Sequence, residues 1–360
     1  MKTLASAVLL LLVFVPSVLA QDVAIGPKSA EVDAMFEAYT SGVQPGAAAL
    51  VLSKGKILHA NGYGYANLVT EERITPSTSF RLASVSKQFV CVSILILAER
   101  GAFSIDDPAT NLLPELSDRY GDGITIRHLM NHTSGLPDYY NAEDEFENER
   151  PRTPEGARVF SEWGEPKFEP GEKFEYSNPG YEMLALIIER ASKKSFGTFL
   201  HDEIFAPLGM VASVAYERED VVIANRAFGY RPVPGGFVPF DDHKLNWMMG
   251  AGGIYSSLLD MARWDGALTY STLIGRESTD ASFTPAKLLN GTTSDYGFGW
   301  GIGEEDGRRR LSHSGGWVAF RTMIVRYPGE QLTVVVLTNR ADGNPGAFAK
   351  KIAKLYLEGA

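Results

Sequence analysis

Residues Arg81-Leu82-Ala83-Ser84-Val85-Ser86-Lys87 run directly into Gln88-Phe89-Val90-Cys91-Val92-Ser93-Ile94-Leu95-Ile96-Leu97-Ala98-Glu99-Arg100 and stop at Gly101. A long apolar stretch closed by glycine reads as a buried helix that begins at or near Ser84. Positions three apart share a helical face, so the Lys87 ammonium can reach the Ser84 hydroxyl. A serine hydroxyl is a poor nucleophile until a neighbour takes its proton. Unpaired N–H groups at a helix start also favour an anion. Taken alone, S-x-x-K is short enough to occur in a buried helix by accident, and its meaning depends on the rest of the chain.

Two further motifs stand downstream. Tyr176-Ser177-Asn178 lies in the turn-rich stretch Pro170–Gly180, just before a helical run from Tyr181 to Lys193. His313-Ser314-Gly315-Gly316 opens the segment Trp317–Tyr327, whose loose alternation reads as a strand. In this order, S-x-x-K, Y-x-N and H-S-G resemble the three motifs of the serine β-lactamase and penicillin-binding protein superfamily. The Y-x-N and H-S-G forms are similar to its class C-like branch, which includes D-alanyl-D-alanine carboxypeptidases, D-aminopeptidases and esterases. Segments Ile124–Pro137, Leu245–Arg263 and Tyr296–Gly301 resemble the same branch, so the likeness spans nearly the whole chain past residue 20.

The resemblance implies roles residue by residue. Ser84 would be the nucleophile that forms an acyl-enzyme, with Lys87 or Tyr176 accepting its proton; the sequence leaves open which of the two does so, or whether they share it. The backbone N–H groups of Ser84 and Gly316 would form the oxyanion hole. Asn178, His313, Ser314 and Gly315 would contact substrate. His313 stands where the family's third motif carries lysine, and the missing cation weakens recognition of a substrate carboxylate. An ordinary imidazole is cationic only below about pH 6.5, so any carboxylate binding by His313 is expected to strengthen on acidification.

Other motifs carry less. His128 and His132 stand four apart, a spacing seen in metal sites, but no H-E-x-x-H pattern accompanies them, and neither metal nor cofactor is expected. No G-x-S-x-G occurs, which removes an α/β-hydrolase elbow.

Composition bounds the function. Met1–Ala20 has the lysine, apolar core and Ser17-Val18-Leu19-Ala20 end of a signal peptide. Its apolar run is too short to span a bilayer, and no stable membrane anchor is expected. Loss of this segment removes Lys2 and takes the formal charge from −10 to −11, which argues against nucleic acid and anionic lipid as partners. The single cysteine, Cys91, permits no internal disulfide and reads as a small core residue. The charge-dense stretch Asp138–Arg152 reads as a solvated loop or, more sharply, as a lid.

Strand patterns fall at both ends. Gly46–Leu52 and Ile57–Tyr65 form a hairpin pattern; Gly297–Ile302, Gly315–Tyr327 and Leu332–Thr338 return as strands before an amphipathic helix at Pro345–Leu357. The fold expected is an α/β sheet made from both chain termini, antiparallel and flanked by helices, with a mostly α-helical domain inserted. The expected division is a signal peptide over 1–20 and one hydrolase unit over 21–360. Within that unit the α/β part covers about 21–83 and 286–360, and the helical part about 84–285. The function expected is an exported serine hydrolase, periplasmic or secreted. Its substrates would be small molecules or D-amino-acid peptides of cell-wall type, peptidoglycan fragments included, or small esters. The alternatives are a class C-like β-lactamase and a non-catalytic penicillin-binding sensor or scaffold.

Overall fold

The computed structural model describes residues 26–116, 120–137, 165–217, 220–241 and 248–358. The expected leader Met1–Ala20 and the expected lid Asp138–Arg152 lie outside these residues.

Two distant segments build one antiparallel sheet. Strands β1 (Ala47–Ser53) and β2 (Lys56–Tyr63) form the expected hairpin across Lys54–Gly55. They join β3 (Gly301–Glu305), β4 (Arg308–Trp317), β5 (Phe320–Tyr327) and β6 (Leu332–Thr338) in the order β3-β4-β5-β6-β1-β2. The junction is β1 on β6, with Ala47 opposite Thr338 and Ser53 opposite Leu332. Strand alternation divides the apolar residues between two cores. Ala48, Leu50, Leu52, Val335 and Leu337 face one way; Ala47, Ala49, Val51, Val334 and Val336 face the other.

Helices cover both faces. α1 (Ser29–Met35) lies against β2, and the C-terminal helix, at the expected bounds Pro345–Leu357, lies against β5 and β6. The opposite face receives α4 (Leu258–Tyr270) and a helical layer in which α2 (Lys87–Glu99) packs on α3 (Asn178–Ser192). Every residue of α2 from Lys87 to Leu97 is buried, which explains its near-continuous apolar sequence. The expected architecture is thus the one observed: an antiparallel sheet drawn from both ends of the chain, flanked by helices.

The expected strand boundaries at the C-terminal end need correction. Gly315–Tyr327 is two strands rather than one, because the chain reverses at Val318–Ala319 and pairs Trp317 with Phe320. The expected strand at Gly297–Ile302 is mostly connecting chain, and strand pairing begins at Gly301. A β3–β4 hairpin, absent from the expected elements, turns on the dipeptide Asp306-Gly307, both in the left-handed region at φ 52° and 74°. That backbone matches the right-handed twist of a two-residue hairpin loop.

Candidate active site

Ser84 sits on a strained, clamped turn. A 3₁₀ turn over Ala83–Ser86 leads into α2, so the α-helix itself starts at Lys87 rather than at Ser84. In a 3₁₀ turn, residues three apart are nearly eclipsed, which places Lys87 over Ser84 more directly than an α-helix would. Ala83 has φ 49°, a left-handed conformation that costs a non-glycine residue on the order of 1 kcal/mol or more. The surroundings hold it there. The Leu82 amide donates to the Ile254 carbonyl at 2.8 Å, Thr322 Oγ1 donates to the Leu82 carbonyl at 2.7 Å, and Ser86 Oγ accepts from the Ile254 amide at 3.2 Å.

Lys87 is fully buried, and a buried ammonium needs every proton paired. Its Nζ donates to Ala251 O at 2.8 Å, Asn178 Oδ1 at 2.9 Å and Ser84 Oγ at 3.3 Å. It also lies 4.9 Å from the centroid of the Tyr176 ring and 5.1 Å from that of Tyr181. Asn178 is the first residue of α3, held by Ser177, whose hydroxyl caps the helix by accepting from the Gly180 amide. Ser84, Lys87, Tyr176 and Asn178, which are up to 94 positions apart in sequence, therefore surround one ammonium.

His313 closes the cluster, its ring 6.3 Å from that of Tyr176. Both its nitrogens are engaged. Nδ1 lies 2.7 Å from the Ser314 carbonyl, which can only accept, so Nδ1 carries the proton. Nε2 then accepts from the Tyr296 hydroxyl at 2.7 Å. Burial first, and the Lys87 charge second, push its pKa down to about 3. This corrects the expected titration of His313 near pH 6.5: the imidazole stays neutral there, and its two hydrogen-bonding positions are already used.

Strand alternation separates the third motif. His313, Gly315 and Trp317 face inward, whereas Ser314 and Gly316 lie on the exposed side of β4. Gly315 is where β4 meets the Ser84 turn. A Cβ there would stand well inside van der Waals distance of Thr322 Oγ1 and the Leu82 carbonyl, and 3.1 Å from Ala83 Cβ. A Cβ at Gly316 would meet only the end of Arg321, at 3.8 Å. Close approach is thus a demand of Gly315 toward the protein's own turn. Gly315→Ala is expected to cost about 1–3 kcal/mol by overpacking, read by urea denaturation, and to lower turnover by displacing Ser84. Unchanged stability and turnover would mean that the turn relaxes freely.

Three residues of the site had no role in the sequence reading. His132 lies at φ 60° amid the rings of Tyr176, Tyr181 and Tyr296, with centroids 4.2, 5.0 and 4.8 Å away. Its Nδ1 accepts from the Ser177 amide at 3.1 Å, so it positions the Y-x-N turn, and burial holds its pKa well below the usual range. Tyr296 orients His313. Glu182, 1% exposed, accepts from the amides of Met249, Gly250 and Ala251. His132 and Tyr296 belong to segments that carried the resemblance; Glu182 has no such signal, because the burial of the run 178–188 around it is seen only in the structure. His128 is a capping residue for the helix Ile126–Met130, and no cluster of potential metal ligands occurs among the described residues. Cys91 is a buried core residue whose thiol burial pushes up to about 12.

Comparison with known proteins gives the family and the fold. The family model described as Beta-lactamase matches residues 32–357. The chain is 32% identical over 338 residues to penicillin-binding protein 4* of Bacillus subtilis, covering 88% of this chain and 72% of that one. It is 29% identical to a D-aminopeptidase of Gluconobacter oxydans, covering 86% of this chain but only 58% of the relative. Among solved structures, the octameric penicillin-binding protein homologue from Pyrococcus abyssi superimposes with a TM-score of 0.74 at 28% identity, over 92% of this chain and 75% of that one. On the match over 32–357 and the 32% identity, the chain belongs to the beta-lactamase family of serine hydrolases.

Proposed function

We propose that this hydrolase is exported and cleaves D-amino-acid peptides of cell-wall type or small esters through an acyl-enzyme on Ser84. The observation that carries the reading is the Lys87 ammonium, buried and 3.3 Å from Ser84 Oγ, with Asn178 and Ala251 fixing its other protons. Ser84 Oγ attacks the substrate carbonyl as its proton passes to Tyr176, ionised beside the Lys87 ammonium, or to Lys87 once that ammonium has itself given up a proton and become a neutral amine. The backbone N–H groups of Ser84 and Gly316 hold the oxyanion. The leaving amine or alcohol departs with a proton returned from that base, and water then releases the acid and restores Ser84.

Two features favour a peptide-like substrate without an essential carboxylate. β3 pairs with β4 only from Arg308 to Ser312, so among the described residues no strand pairs with His313–Gly316 on that side, beside Ser84. An extended acyl chain can add to such an edge through backbone hydrogen bonds. At the same edge, the neutral His313 replaces the family's lysine and offers no charge to a carboxylate. The D-aminopeptidase relative is consistent with this substrate class. Export rests on the composition of Met1–Ala20; no helix among the described residues is long and apolar enough to cross a membrane.

The test is a panel of p-nitrophenyl butyrate, a D-aminoacyl p-nitroanilide, a D-Ala-D-Ala peptide and nitrocefin. The ester and the D-aminoacyl anilide are expected to turn over fastest. Binding of the two carboxylate-bearing compounds to Ser84→Ala is expected to be flat between about pH 5 and 7, because His313 does not titrate there. Nitrocefin as the best substrate would make the chain a β-lactamase, and turnover of none would favour a penicillin-binding scaffold.

A further inference from the structure

We propose that Glu182 is the buried counter-ion of this centre, a positioning residue that holds the loop gripping Lys87 and sets the proton affinity of the groups around it. The proposal rests on the reading of Ser84 and Lys87 as the reacting pair.

The geometry is a relay through one residue. Glu182 stands one helical turn beyond Asn178 on α3, so both side chains project from the same face. Asn178 binds Lys87 directly, through Oδ1 at 2.9 Å. Glu182 does so through the segment 249–251. Its Oε2 accepts from the amides of Met249 at 3.0 Å and Gly250 at 3.3 Å, and its Oε1 accepts from that of Ala251 at 2.8 Å. The carbonyl of the same Ala251 accepts from Lys87 Nζ at 2.8 Å. Ala251 thus gives its N–H to the carboxylate and its C=O to the ammonium.

These three partners are all donors, and they occupy both oxygens, which suits the ionised acid. Burial raises the pKa of Glu182, while the three amides and the Lys87 charge pull it back. An unpaired charge at either position would carry a large desolvation cost, so each ion supports the other. Among the described residues, the titratable groups facing Lys87 from the neighbouring elements include Tyr176, Tyr181, His132, His313 and Cys91. Burial keeps both histidines neutral, and Glu182 supplies a full negative charge to this set.

The sign of the effect does not depend on which group is the base. Removing a nearby negative charge makes every proton in the cluster leave more readily, whether from Lys87 or from Tyr176. Both limbs of the pH profile of kcat/KM must therefore move to lower pH.

In Glu182→Gln, kcat for p-nitrophenyl butyrate is expected to fall at least about tenfold, with KM within about threefold. Both limbs are expected to move down by about one unit. Glu182→Asp keeps the charge but shortens the reach, so it should lose turnover while holding the limbs in place. Unmoved limbs in a folded Glu182→Gln overturn the proposal, because a merely structural carboxylate would change rate or stability without shifting them. If that variant does not fold, isotope-edited infrared spectroscopy of the folded wild type decides. Carboxylate bands for Glu182 at pH 7 are expected, and a protonated carboxyl overturns the proposal. Ser84→Ala in the same assay separates the two readings. Full activity there removes the Ser84 centre and the counter-ion with it, whereas an inactive Ser84→Ala with unmoved limbs in Glu182→Gln removes only the role of Glu182.

Discussion

Replacing Ser84 by alanine is expected to abolish turnover and to leave no covalent adduct with a fluorophosphonate or a penicillin. The loss should be on the order of a millionfold in kcat, the scale on which removal of an acyl-enzyme nucleophile acts. The wild type should show one adduct by mass spectrometry, on the peptide that contains Ser84. Three other serines stand in the motifs, and the structure gives each a different setting: Ser177 is buried and caps α3 by accepting from the Gly180 amide. Ser86 is fully buried, with its hydroxyl accepting from the Ile254 amide. Ser314 projects from the exposed side of β4, away from the inward row of His313 and Gly315. Only Ser84 is both partly exposed and within 3.3 Å of a buried ammonium. An adduct on Ser86 or Ser314 would sink the assignment. The fold should not suffer in Ser84→Ala, since the turn is held by the backbone of Leu82 and the side chains of Ser86 and Thr322.

Much of this molecule was legible in its residues, and what was not has identifiable physical causes. The run after Ser84 was readable because a helix buried on every side leaves a continuous apolar sequence, and α2 is buried from Lys87 to Leu97. The hairpin of β1 and β2 and the helix Pro345–Leu357 were readable for the same reason, their local pattern agreeing with their burial. The β3–β4 hairpin was lost because the buried row of β4, Leu311, His313, Gly315 and Trp317, holds a histidine and a glycine, so regular alternation in burial leaves little alternation in hydrophobicity after Asp306-Gly307. Chain reversal at Val318–Ala319 carries no turn chemistry at all; Val318 adopts φ 48° without glycine or asparagine. At the site, the motifs located Ser84, Lys87, Tyr176, Asn178 and His313 but not their electrostatics. Whether an imidazole titrates near neutrality depends on burial and on charges distant in sequence. For His313 those are burial first and the charge of the buried Lys87 second, which no local pattern encodes. Glu182 was invisible for a related reason, since its partners are the backbone amides of a segment 67 to 69 positions away.

Lys87→Ala and Tyr176→Phe are each expected to lower kcat by a hundredfold or more, on the order of what a positioned base supplies, with little change in KM. The structure argues that the two losses will not multiply. The Lys87 ammonium lies 4.9 Å from the Tyr176 ring centroid and also holds Ser84 Oγ, so one cation adjoins both ends of the proton transfer. A phenol beside a fixed positive charge ionises more easily, and a lysine beside a phenolate keeps its proton more firmly. Removing Lys87 therefore already weakens Tyr176 as a base, and removing Tyr176 leaves Lys87 without its partner. The double variant should be little worse than the poorer single one. Stability must be followed in parallel, because Lys87→Ala strips the donor from two buried acceptors, Asn178 Oδ1 and the Ala251 carbonyl. Each orphaned group costs about 1–3 kcal/mol, and this loss would appear in urea denaturation and not as a specific fall in kcat. Tyr176→Phe keeps the ring against His132 and removes only the hydroxyl, so its stability change should be small and its kinetic change large. If the two kinetic losses multiply strictly, Lys87 and Tyr176 act at separate steps, and a proton shared between them is wrong.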